Sequence, residues 1–96
     1  TIESDDAIAW LAEQASPWFL WLAYNTPHTP FHLPPAELHT DQSLTGTAAD
    51  TAARPLAYQQ AALEALDHEF GRVLASLSPA VRRCSSFPPY SPWWAG

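Results

Sequence analysis

Ile8, Leu11, Ala12 and Ala15 fall at i, i+3, i+4 and i+7, the spacing of one apolar face on a helix. Ser4 is placed to cap that helix, with Asp5 and Asp6 in its first turn at the positive end of the dipole, and Pro17 stops it. From Trp18 to Tyr24 the chain then reads Trp-Phe-Leu-Trp-Leu-Ala-Tyr, apolar throughout and rich in aromatics. A run of that length without polar alternation predicts a strand covered on both faces, although a buried helix would carry the same pattern. Pro17 before the run and Asn25-Thr26-Pro27 after it favour the strand.

Periodicity disappears over the following Pro-rich stretch, and residues 25–35 are predicted as a loop. Pro35 to His39 fits a single helical turn. Thr40 to Ala53, rich in Thr, Ala and Asp, has no apolar period and is expected to be surface loop. Pro55 opens a longer helix in which Leu63, Leu66, Phe70, Val73, Leu74 and Leu77 step by three and four along one face. Gly71 inside it implies either a close packing partner or simple tolerance. Ser78-Pro79 ends the element, and the tail from Arg82 to Gly96 mixes Pro and Trp with no period, so little regular structure is expected there. Residues 1–78 therefore read as one partial domain and residues 79–96 as a separate tail.

Helix, buried strand, loop and helix make one crossover unit of an α/β fold, yet no second convincing strand is visible. Buried backbone groups left unpaired cost about 1 to 3 kcal/mol each, so the chain reads as a fragment whose partner strands lie elsewhere. Its size points the same way: 96 residues hold one small domain at most, and a chain this short buries only a modest part of its surface. An isolated chain of this kind is expected to be marginal, molten or self-associated through the uncovered strand.

Charge and cysteine narrow the partners. Four basic residues stand against ten acidic ones, a net charge of -6, which leaves no basic field for nucleic acid or anionic lipid. No apolar run approaches the roughly 18 to 20 residues of a membrane span, and Thr1 to Asp6 lacks the basic start of a signal peptide. Cys84 is the sole cysteine, so no internal disulfide forms and the compartment stays open.

Among residues able to carry chemistry, His28 stands out. It follows the end of the presumed strand, where open α/β sheets place ligands, and Pro27 and Pro30 restrain its backbone. An imidazole held there can act as a general acid or bind an oxyanion, its charge being adjustable near neutral pH. The bland reading is a loop histidine making one ordinary hydrogen bond. His28, His32 and His39 together suggest zinc ligands, but Pro30 prevents the helix that would put the first two on one face. Glu64, Asp67, His68, Glu69 and Arg72 read as a solvated face of the long helix, Asp67 being closest to the apolar stripe. Arg82 and Arg83 would favour a Cys84 thiolate, but no base is evident beside it. Phe87 to Trp94 is a weak candidate polyproline ligand, which leaves a small interaction module, using the tail and the exposed helix, as the alternative function.

Two blocks of the sequence resemble a known family. Pro17-Trp-Phe-Leu-Trp-Leu-Ala-Tyr-Asn-Thr-Pro-His-Thr-Pro-Phe-His-Leu-Pro-Pro, followed by Tyr58-Gln-Gln-Ala-Ala-Leu-Glu-Ala-Leu-Asp-His-Glu-Phe-Gly-Arg-Val-Leu, resembles the middle of a sulfatase of the alkaline phosphatase superfamily. Asp6-Ala-Ile-Ala-Trp-Leu fits as well, so the likeness spans roughly residues 4 to 77. The resemblance implies part of an alkaline phosphatase-like sandwich in a hydrolase of sulfate esters that uses formylglycine and a divalent cation, usually calcium. It also implies that His28 lies beside the sulfate, contacts an ester oxygen and helps to protonate the leaving group. The family's nucleophile motif, Cys or Ser followed by x-Pro-x-Arg, is absent, and after Arg72 no strand ending in Asp-Asn or Asp-His follows. No cofactor is therefore expected on this chain itself, which should be inactive alone.

Overall fold

A computed structural model describes residues 1–84, the side chains of Arg83 and Cys84 excepted. Within them the chain forms α1 (Ile2–Ala12), a 3-10 turn (Ala36–Leu38), α2 (Ala48–Ala53), α3 (Pro55–Ser76) and α4 (Pro79–Cys84). The Cys84 thiol and the Pro- and Trp-rich stretch from residue 85 onward, and with it the polyproline reading, lie outside the described residues.

The first helix begins earlier than its spacing suggested. Thr1, not Ser4, is the cap, its hydroxyl accepting from the Ser4 amide. Ser4 and Ala7 are the positions that α1 buries, and α1 packs against α3. The helix ends at Ala12 rather than near Pro17, because the Glu13 and Gln14 amides and the Gln14 side chain take up the Trp10 and Leu11 carbonyls, satisfying the terminal acceptors.

Residues 18–24 are the main correction. No strand exists among the described residues, and none of their inter-residue backbone hydrogen bonds involves residues 15–24. The α/β expectation is not met among the described residues, since no second extended segment there forms a ladder with this one. Exposure nevertheless alternates with the two-residue period of extended backbone: Trp18, Leu20, Leu22 and Tyr24 are half-buried, while Phe19 and Trp21 are 82% and 81% exposed. The half-buried row is fastened at both ends to α1. Trp18 meets Trp10 edge-to-face with ring centroids 6.1 Å apart, and the Tyr24 hydroxyl lies 2.8 Å from Ser4 Oγ.

The longest helix starts at Pro55 as expected, and Leu77 turns extended ahead of Ser78-Pro79 to end it. Its buried face is another matter. Tyr58, Ala61, Ala62, Ala65, Glu69 and Val73 are buried, whereas Leu63 and Phe70 stay nearly half-exposed. Small residues allow α1 and the 3-10 turn to approach closely, and the large apolar side chains border an open cleft of about 470 Å³ with Leu22, Tyr24 and Asp67. The stretch 40–53 is more than surface loop: it contains α2, and Leu44 is buried against Tyr58 and Ala61. Regular structure also reaches into the expected tail, since α4 includes Arg82. No helix among the described residues is long and apolar enough to cross a membrane.

Candidate functional site

His28 sits directly after the extended segment. Its amide donates to the Asn25 carbonyl at 2.8 Å, closing a turn, and the peptide bonds before Pro27 and Pro30 are both cis. The side chain is exposed, with Nδ1 2.8 Å from the Thr29 carbonyl oxygen. A carbonyl only accepts, so Nδ1 carries the proton, which leaves Nε2 as the nitrogen presented to solvent. In the neutral ring that nitrogen accepts a proton, and in the charged ring it donates one.

His32 is exposed on the same loop, while His39 is partly buried after the 3-10 turn. Both ring nitrogens of His39 are enclosed without a hydrogen-bond partner. No group of three or more His, Cys, Asp and Glu among the described residues is arranged to hold a metal ion. Among the described residues there is thus no donor set that fits the calcium implied by the resemblance, and the sequence lacks the formylglycine motif.

The charged face of α3 is less solvated than its spacing suggested. Glu69 is buried, and its carboxylate pairs with the Thr1 amino group and with Arg72, whose guanidinium also reaches Asp5 on α1. Burial pushes the Glu69 carboxyl up, but the Thr1 ammonium and Arg72 outweigh it and hold it at about 2. Glu64 accepts from the Thr40 amide at 2.6 Å and from its hydroxyl at 2.7 and 2.8 Å, and these bonds, the hydroxyl's first, keep it below the usual carboxylate range. Asp67 is exposed at the rim of the apolar cleft.

A cluster that the sequence reading passed over lies at the α2–α3 junction. Arg54 Nε and Nη2 donate to the two Asp50 carboxylate oxygens at 2.8 and 2.7 Å, and the buried Tyr58 hydroxyl donates to Oδ2 at 2.7 Å. The Arg54 guanidinium, then the Tyr58 hydroxyl and the Thr45 amide, hold Asp50 far below the usual carboxylate range. Asp50, Arg54 and Tyr58 do recur every fourth residue, but Pro55 hides that spacing because it separates two helices.

The family likeness carried by residues 17–35 and 58–74 is borne out by comparison with known proteins. The sulfatase family model matches residues 3–83. No curated protein and no solved structure matches the chain. With most of its length aligned to that one family, the chain belongs to the sulfatases.

Proposed function

We propose that this chain is a segment of a sulfatase catalytic domain, of alkaline phosphatase-like architecture in the whole enzyme, which hydrolyses a sulfuric ester and in which His28 is the substrate-side histidine. One observation carries the reading: the imidazole is exposed at the end of an extended apolar segment with Nδ1 committed to the Thr29 carbonyl. Nε2 is thereby aimed outward to meet an ester oxygen. When the S–O bond breaks, the leaving oxygen gains negative charge and needs a proton, and a charged imidazole supplies it from Nε2. The nucleophile and the cation site are contributed by other parts of the enzyme, so the 96-residue chain by itself does not turn over substrate.

A chimera tests this. Residues 4–77 replace the matching segment of an active sulfatase, and aryl sulfate hydrolysis is measured with and without His28→Ala. The chimera is expected to be active, and the substitution to lower kcat by about 100-fold or more, the usual contribution of a positioned acid. Equal kcat in two well-folded chimeras would overturn the assignment of His28. Hydrolysis by the purified chain alone, abolished by His28→Ala, would overturn the claim that it needs the rest of a catalytic domain.

A further inference from the structure

The loop that carries His28 has almost no hydrogen bonds to hold it. Among the described residues, those involving residues 25–34 are the turn bond from His28 to Asn25 and the side-chain bond from His28 to Thr29. Its fixed points are apolar. Phe31 packs on the cluster of Leu44, Tyr58 and Ala61. Leu33 lies over Gly46, which has φ +78°, and a Cβ at Gly46 would come within 3.3 Å of Leu33 Cδ2. Leu44 of the first support and Gly46 of the second belong to the segment 43–47, and that segment is pinned by the junction cluster. Arg54 donates to the Ser43 carbonyl and hydroxyl at 2.9 Å each. The Thr45 amide donates to Asp50 Oδ2 at 3.0 Å, and the Gly46 amide donates to the Tyr58 hydroxyl at 2.8 Å. Tyr58 thus joins the two halves, being a member of the apolar cluster on which Phe31 packs while its hydroxyl ties Gly46 to Asp50.

We propose that the Asp50–Arg54–Tyr58 cluster is a positioning device for His28, acting through Leu44 and Gly46 on Phe31 and Leu33. Its catalytic importance rests on the sulfatase reading of His28, whereas the positioning itself does not. Locked, the cluster gives Phe31 and Leu33 a fixed seat, and the His28 turn a few residues earlier keeps its imidazole against the Thr29 carbonyl. Unlocked, residues 43–47 are free to move, the seat is lost, and the ring exchanges its carbonyl partner for water.

The readout is the tautomer of His28, followed by imidazole 15N chemical shifts in the 96-residue chain at a pH where the ring is neutral. Tyr58→Phe keeps the ring and removes the hydroxyl. Leu33→Ala leaves every hydrogen bond of the cluster in place and removes only one seat on it. In the parent chain the Nδ1–H form of His28 is expected to dominate. Either variant should reduce it to the minority share of a free imidazole, with exposed His32 unchanged as the internal reference. Circular dichroism reports whether Tyr58→Phe keeps its helices, and if it does not, Leu33→Ala decides. A His28 tautomer unaffected in a folded variant, or already mixed in the parent, would overturn the positioning role. Because this signal requires no turnover, it can fail while His28→Ala still lowers kcat in the chimera, and the reverse also holds.

Discussion

Gly71 occupies an exposed position in α3 where an added Cβ would meet no atom within 4 Å. Of the two readings its sequence position allowed, this chain supports tolerance. Gly71→Ala should stabilise the helix by about 1 kcal/mol, because alanine loses less backbone freedom on folding. A thermal melt followed by circular dichroism should show a midpoint raised by about 4 to 8 °C, the usual response of a domain this small; a lower midpoint would mean that the space is filled. Glu69 shows the opposite limit of legibility. Spacing alone grouped it with the charged residues, yet Ala62, Ala65, Glu69 and Val73 follow one another by three and four on the face that α3 buries. Judging the helix by its largest apolar side chains selects the Leu63, Leu66 and Phe70 face instead. Packing selected the small residues because they let α1 approach, and the amino group of Thr1 that neutralises Glu69 is too distant in sequence to be anticipated.

At the level of elements the existence of α1 and α3 was readable because it depends on local periodicity and on Pro positions, as Pro55 at the first turn of α3 illustrates, whereas the short α2 and α4 carry too little apolar period to be seen. The segment 18–24 was half-readable. Its two-residue alternation is present, but a strand is a relation between two segments, and no partner segment pairs with it among the described residues. What remains is an extended edge with Phe19 and Trp21 outward, in a stretch with no charged Asp, Glu, Lys or Arg from Gln14 to Ala36. Natural edges are protected by charge, bulges or cover, and an uncovered aromatic edge pairs with whatever edge it meets. The purified chain should therefore self-associate with rising concentration. Sedimentation velocity is expected to show oligomers in the parent and a monomer in the Phe19→Ser/Trp21→Ser double variant. A parent that stays monomeric at high concentration would contradict the assignment of this edge as the sticky one.

For the molecule as a whole, the buried core of the described residues is small: Leu44, Tyr58, Val73 and four alanines are its apolar members. With so little burial, polar ties between distant segments carry unusual weight, and most of them end on carboxylates. Glu69 joins α3 to Thr1 and, through Arg72, to α1; Asp50 joins the α2–α3 junction to residues 43–47; Glu64 joins α3 to Thr40. All three carboxyls are held below their ordinary values, Glu69 at about 2. A carboxyl whose pKa falls on folding adds stability that is complete above its unfolded value, about 4.3 for Glu, and is lost as pH drops toward the folded one. Helix content should accordingly hold from neutral pH down to about 5 and decline between about 4.3 and 2. Acidification also carries the net charge from -6 through zero to a positive value as the carboxylates that balance the basic residues are protonated, so self-repulsion first falls and then returns with the opposite sign, but that effect is diffuse and screened while the lost ties are specific. Asp50 and Glu64 are accessible enough for salt to weaken their share, so the salt-resistant part of the acid transition belongs to buried Glu69. Glu69→Gln should make that part shallower in a pH titration followed at the helical band, and an acid transition of unchanged steepness in this variant would show that the other carboxylates govern it.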